Sequence, residues 1–132
     1  VHNAKPEGAL QGGLPHRGMG HGLKEQALVL NTPAGLILVV GCSHPGILTI
    51  VRKAKELFQR PVYLVIGGFH TMPETAQNMR QVIHDFKMLG VSKVAPAHCT
   101  NSAAKNWFQK AYGHDYIECG VGRELRFRFR NR

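Results

Sequence analysis

Three apolar runs in this sequence each end in a short turn that carries a histidine. The runs are "LILVVGCSH", "PVYLVIGGFH" and "KVAPAH", and they end at His44, His70 and His98. Successive histidines are 26 and 28 residues apart, about the length of one strand, one helix and their connections. An alternation of strands and helices is typical of an α/β layered domain. Because a histidine follows each of three successive apolar runs, the three histidines are expected to share one role.

Amphipathic helices are predicted between these runs, because apolar residues recur there at helical spacing. The first helix would bury Ile47, Ile50, Val51, Ala54, Leu57 and Phe58. The second would bury Met79, Val82, Ile83, Phe86 and Leu89 before Gly90 ends it, and the third would bury Trp107, Phe108 and Ala111. Thr71 and Glu74 form a capping-box pattern for the second helix, with Pro73 in its first turn. Either Thr100 or Asn101 suits the N-cap of the third.

The remaining segments predict further strands and a long loop. "QALVLNT" and "LILVVG", separated by "PAG", indicate a hairpin. Near the end, "DYIECG" and "RELRFRF" predict two last strands, the second an edge strand with its arginines in solvent. The order is then β-β-α-β-α-β-α-β-β within residues 25–132. Residues 1–24 are glycine-rich and are predicted to be a loop or disordered N-terminal segment, in which His16 and His21 are solvated.

Composition restricts the function classes. The 17 Lys and Arg residues against 8 Asp and Glu give a net charge of +9, which suits an anionic small-molecule substrate. The basic residues are spread over the predicted helices apart from "RELRFRFRNR", so nucleic acid is not an expected partner. Three cysteines without a CxxC pair predict free thiols and a reducing compartment. No stretch is long and apolar enough for a bilayer, and no signal peptide is evident, so we expect a cytoplasmic protein without membrane contact.

The three histidines define a candidate metal site. Loops at the carboxyl ends of strands in an α/β sheet converge at one edge, where ligand sites form. Neutral imidazole is a good zinc ligand, and a catalytic zinc lowers the pKa of its bound water to roughly 7. The alternative is that each strand-end histidine only hydrogen-bonds a nearby carbonyl.

Other side chains near these turns are weaker candidates. Cys42 and Cys99 lie close to the histidines in the sequence and are candidates for a thiolate nucleophile or a metal ligand. The alternative is that they are small buried core residues, which are common among cysteines. Helix capping accounts for three hydroxyl residues beside the turns, which are Ser43, Thr71 and Thr100. Two further histidines, His84 and His114, are expected at the surface.

The motifs "GCSHPGI", "GGFH" and "APAHCT", preceded by "EQALVL" and followed by "ECGVG", resemble the C-terminal half of the metallo-β-lactamase fold. Within that superfamily they are most similar to the branch named for 7,8-dihydropterin-6-methyl-4-(β-D-ribofuranosyl)aminobenzene 5′-phosphate synthase, over about residues 25 to 122. The resemblance implies half of an αβ/βα sandwich that binds one or two ions of zinc or another divalent transition metal. It implies His44 and His98 as ligands, with His70 where many members carry a bridging aspartate. The implied activity is hydrolysis of an ester or phosphoester, with a pterin-linked phosphate as the substrate that the branch name suggests.

One part of the superfamily pattern is missing from the sequence. The H-x-H-x-D-H motif, which supplies most ligands of the first metal, does not occur, and "HRGMGH" is no substitute. The ligand set is therefore incomplete in this chain, which predicts either a separately supplied N-terminal half or self-association through an uncovered apolar face. Two alternatives stay open: a catalytically silent module that holds a phosphate-containing ligand at helix N-termini, and a polyanion-binding domain that uses the C-terminal arginines.

Overall fold

A four-stranded sheet forms the centre of the molecule. The computed structural model describes residues 25–71 and 75–129. Its strands are β1 (Ala27–Thr32), β2 (Gly35–Val40), β3 (Val62–Gly68) and β4 (Lys93–Ala97), and they lie side by side in that order. β1 and β2 form the predicted antiparallel hairpin, whereas β2, β3 and β4 are parallel. The predicted α/β class is confirmed, and the parallel strands have their carboxyl ends at the same edge.

Three helices cover one face of this sheet. They are α1 (Ile47–Phe58), α2 (Ala76–Met88) and α3 (Ser102–Tyr112), and a 3₁₀ turn, Gly113–Asp115, follows. Buried side chains of all three helices join those of the strands in one hydrophobic core. Two predicted core residues are wrong: Leu57 is 54% exposed and Ala111 is also exposed. Each directly precedes the last residue of its helix, Phe58 or Tyr112, and at both helix ends this last residue packs in the core instead. Among the described residues no helix has the length and apolarity required to cross a bilayer.

The helix caps differ in part from the prediction. α2 begins after Thr75, whose side-chain oxygen accepts a hydrogen bond from the Asn78 N–H, so Thr71 is not its cap. Pro73 and Glu74 lie outside the described residues. Asn101 rather than Thr100 caps α3, by accepting from the Ala104 N–H at 2.8 Å.

The two strands predicted at the C-terminal end are not formed in the described residues, which is a correction. Only an isolated bridge joins Tyr116 to Val94. Phe127 and Phe129 nevertheless pack on the sheet face opposite the helices, with ring centroids 6.0 and 5.7 Å from Tyr63. The alternation thus predicted which side chains turn inward, but apolar contacts hold this segment in place of a backbone ladder. Residues 1–24, with His16 and His21, lie outside the described residues.

An aromatic cluster connects the sheet edge to the helices. Phe69, immediately after β3, is 1% exposed and packs on Phe86 of α2 and Phe108 of α3, with centroid separations of 5.4 and 5.2 Å. The rings of Phe86 and Phe108 are also 5.2 Å apart. Such pairs add about 0.5–1.5 kcal/mol each beyond their buried area. The residue that precedes His70 is therefore firmly anchored.

Candidate metal centre at the sheet edge

The three loops that follow β2, β3 and β4 will be called the rim, comprising residues 41–46, 69–71 and 98–101. Each loop carries one of the three predicted histidines, and the parallel strands place all three loops at one edge. The ring centroids of His44 and His70 are 4.9 Å apart. His98 is exposed and lies beside Gly68, since its Cδ2 is 3.2 Å from the position that a Cβ on Gly68 would occupy. Within residues 25–71 and 75–129, no ring contact joins His98 to the other two. The exposed His84 and His114 are surface residues, as predicted.

Buried hydrogen bonds join the rim loops to one another. The Ser43 hydroxyl donates to the Gly68 carbonyl at 2.6 Å, and the Gly68 N–H donates to the Gly41 carbonyl at 2.8 Å. The Thr100 hydroxyl oxygen accepts from the Phe69 N–H at 2.9 Å. Buried polar groups of this kind are costly to leave without a partner, so each bond helps to set the spacing of the loops.

These contacts correct the capping roles predicted for the hydroxyl residues. Ser43 and Thr100 bridge rim loops, and neither caps a helix. The buried Thr71 hydroxyl does not cap α2 and has no hydrogen-bond partner among the described residues. Sequence pattern favours capping because cap contacts are local, whereas these contacts join residues 25 and 31 positions apart.

The rim backbone is strained at three positions. Ser43, His70 and His98 have φ angles of 61°, 47° and 48°. The left-handed region costs an L-residue about 1–2 kcal/mol, and such residues cluster at functional sites. The fourth such residue in the described chain, Gln59, only ends α1. One residue in each rim loop is therefore held in the left-handed region.

Glu25 is a site residue that the sequence did not reveal. Its carboxylate accepts from the His44 backbone N–H at 3.0 Å and contacts His44 Nδ1. A carboxylate on one ring nitrogen fixes the tautomer and leaves Nε2 as the ligating atom, an arrangement common behind metal-binding histidines. Glu25 opens the "EQALVL" stretch, but no local pattern relates it to a histidine 19 residues later.

The two cysteines of the rim lie beside His70. Cys42 Sγ is 3.3 Å from His70 Nδ1, and the His70 N–H donates to Cys99 Sγ at 3.2 Å. The ligating atoms of these three residues all lie within 4.8 Å of one another. Burial raises the pKa of Cys42 to about 11, with further contributions from the hydrogen bond and charge of Cys99 and from Glu25. In the metal-free chain Cys42 is therefore a neutral thiol at pH 7, which makes it a poor candidate for a thiolate nucleophile.

The donor set of the rim fits a transition metal. Imidazole nitrogen and thiol sulfur suit zinc, copper or iron, whereas magnesium and calcium prefer several oxygen ligands. The rim loops carry three histidines and two cysteines and no carboxylate, and Glu25 contacts His44 from outside them. The rim can therefore hold a transition-metal ion, and Glu25 acts behind His44.

Several known proteins resemble this chain in sequence or in fold. The chain is 38% identical over 104 residues to 7,8-dihydropterin-6-methyl-4-(β-D-ribofuranosyl)-aminobenzene-5′-phosphate synthase of Methanocaldococcus jannaschii, a match that covers 78% of the chain and 35% of that protein. It is 32% identical over 82 residues to an uncharacterized protein of the same organism, covering 59% and 31%. A crystal structure of a metal-dependent hydrolase of the β-lactamase superfamily superposes with a TM-score of 0.72 at 33% identity, covering 77% and 40%. No protein-family model matches the sequence.

In sequence and in fold the chain resembles a hydrolase of the β-lactamase superfamily, as its motifs predicted. Within that superfamily it is similar to the pterin-phosphate synthase branch. It spans about 35% of that relative and 40% of the solved structure.

Proposed function

We propose that this chain provides one side of a metal-dependent hydrolase site that acts on an anionic ester or phosphoester. The observation that carries the proposal is the meeting of three histidine-bearing loops at one edge of a parallel sheet. The solved structure with the same fold is a metal-dependent hydrolase, which supports this class of reaction. The related protein is named as a synthase and not as a hydrolase, so hydrolysis by this chain has to be tested directly.

The rim residues would have distinct roles in such a site. His44 would bind the ion through Nε2, because its Nδ1 faces Glu25. His98 would be a second ligand, and His70, 4.9 Å from the His44 ring, would complete or line the site. Zinc or a similar divalent ion bound there supplies Lewis acidity and lowers the pKa of water. The left-handed backbone at His70 and His98 holds both imidazoles at the edge.

The substrate we propose carries a phosphate group. The net charge of +9 favours an anionic ligand, and the name of the related synthase contains a pterin-linked phosphate. Further ligands would come from polypeptide outside this chain, since the chain spans only about 35–40% of the relatives. The silent phosphate-binding module is less well supported, because the side chains of Thr75 and Asn101 already occupy N–H groups at the starts of α2 and α3.

The test is metal content and phosphodiesterase activity of the purified chain, alone and mixed with the N-terminal part of a superfamily relative. We expect His44→Ala and His98→Ala each to lower bound zinc and to reduce hydrolysis of bis(p-nitrophenyl) phosphate by at least about 10-fold. His84→Ala and His114→Ala, which alter exposed histidines away from the rim, are the matched controls. Unchanged zinc content in both rim variants would contradict the proposal, and phosphate binding without metal would favour the silent module.

A further inference from the structure

We propose that Cys42, His70 and Cys99 form a second binding site, for a thiophilic transition-metal ion. The ligands are the two Sγ atoms and His70 Nδ1. This site goes beyond the proposed hydrolase site because it needs neither His44 nor His98. It shares the His70 ring but uses the nitrogen that faces Cys42, 3.3 Å from its sulfur.

The distances suit tetrahedral coordination with small adjustments. With Zn–S near 2.3 Å and Zn–N near 2.0 Å, neighbouring ligand atoms of a tetrahedral zinc are about 3.5–3.8 Å apart. Cys42 Sγ and His70 Nδ1 are already 3.3 Å apart, and no pair in the cluster exceeds 4.8 Å. Closing the longest separation requires a movement of about 1 Å, which a small change in cysteine side-chain torsion provides.

The sheet, and not a flexible loop, brings the three ligands together. Each follows a different parallel strand, and the His70 contacts with Cys42 and Cys99 join residues 28 and 29 positions apart. The His70 N–H donates to Cys99 Sγ, a bond that would stabilise negative charge on a metal-bound sulfur. Because Gly68 has no side chain, the sulfur of Cys99 can lie beside it. A Cβ atom at position 68 would be only 2.7 Å from Cys99 Sγ.

The ligand chemistry indicates the class of ion. Two thiolates and one imidazole favour zinc, cadmium or copper(I) over magnesium or calcium. Both cysteines are half-buried and His70 is exposed, so water can reach a fourth coordination position. All three ligands lie within this chain, and the site should therefore bind metal without the polypeptide that the hydrolase site needs.

The test is titration of the complete, reduced chain with Co²⁺ in the absence of oxygen. We expect a near-ultraviolet thiolate-to-cobalt charge-transfer band that saturates at about one ion per chain. Cys42→Ser and Cys99→Ser should each remove this band or weaken cobalt binding by at least about 10-fold. Cys119→Ser is the matched control, because Cys119 packs on the sheet face opposite the helices, and it should keep the band.

Two further measurements keep the outcome unambiguous. The His44→Ala/His98→Ala double variant should keep the charge-transfer band even where it loses the zinc of the hydrolase site, so the two proposals can fail separately. If circular dichroism shows that a serine variant is misfolded, alkylation of the native chain tests the site instead. Bound cadmium should then protect Cys42 and Cys99, but not Cys119, from reaction with iodoacetamide. The absence of a charge-transfer band in the native chain, or equal alkylation of all three cysteines, would overturn the proposal.

Discussion

Gly68 lies where the three rim loops come closest together. Its N–H and carbonyl both bond to the β2 loop, and a side chain at this position would meet Cys99 Sγ at 2.7 Å and His98 at 3.2 Å. The lack of a side chain is therefore a steric requirement of the site. Its backbone φ does not lie in the left-handed region, so close packing alone explains the glycine.

Gly68→Ala should lower the free energy of unfolding by about 1–3 kcal/mol, because the added methyl group forces neighbouring loops apart. Urea unfolding measures this change, and cobalt binding by the rim thiols should weaken in the same variant. Gly120→Ala is the matched control, since nothing lies within 4 Å of a Cβ at Gly120. Equal stability of the two variants would show that the rim loops tolerate expansion.

At the scale of elements, α2 and its cap show how a local pattern can mislead by one turn. Thr71 and Glu74 fit a capping box, but the helix starts at Ala76 and its cap is Thr75. Thr75 is extended, at φ −143° and ψ 155°, as an N-cap residue must be. Thr71 instead belongs to the rim loop that follows β3.

Thr75→Ala should destabilise the protein by about 1 kcal/mol through loss of the bond to the Asn78 N–H. Thermal or urea unfolding measures the loss. Thr75→Ser is the control, because it keeps the accepting oxygen and should retain most of the stability. A Thr75→Ala variant as stable as the native chain would place the start of α2 elsewhere.

The contact between Lys93 at the start of β4 and Asp115 after α3 predicts a pH dependence. The hydrogen bond from Lys93, together with the charges of Lys93, His114 and Lys87, holds the pKa of Asp115 below its ordinary value of 3.8, against a smaller opposite effect of burial. A lowered folded-state pKa means that this stabilisation is present above the ordinary pKa and is lost as pH falls through the folded value.

Asp115→Asn should therefore reduce stability at pH 7 and make the acid-induced loss of stability shallower below about pH 4. Urea midpoints measured between neutral and acid pH test this. Lys93→Met should also make the loss shallower, since it removes the group that lowers the Asp115 pKa. A native and an Asp115→Asn protein with parallel pH profiles would exclude the contact as a source of acid sensitivity.

At the scale of the whole molecule, the two faces of the sheet differ in how well they are covered. Within residues 25–71 and 75–129, the helices bury one face, whereas residues near the C-terminal end cover only part of the other. Leu28 and Val39 are paired across β1 and β2 on that second face and are 42% and 37% exposed. Adjacent exposed apolar residues favour association.

We predict that the isolated chain self-associates through this face with increasing concentration. Leu28→Asp should shift the equilibrium toward monomer in sedimentation velocity, because it places a charge in the contact. Leu57→Asp is the control, since Leu57 is exposed on α1 away from this face. If both variants or neither change the association, the contact lies elsewhere.

Much of the architecture could be predicted from the sequence because it depends on short-range periodicity. Strand-length apolar runs and helical stripes gave the first three strand-helix units, and each run that ends in a histidine is a strand whose end meets the rim. The motifs around the three histidines also predicted the resemblance to a β-lactamase-superfamily hydrolase. The prediction of the last two strands was wrong because an alternating pattern shows which side chains face inward and does not show whether the backbone pairs with a neighbouring strand.

The sequence by itself determined the α/β order, the histidine at the end of each parallel strand and the resemblance to the superfamily, since these depend on side-chain type and local spacing. Only the tertiary structure decided that Glu25 supports His44, that Ser43 and Thr100 join loops, and that Cys42 and Cys99 meet at His70. These contacts link residues far apart in the chain. Their geometry is set by the parallel register of β2, β3 and β4, which no local pattern encodes.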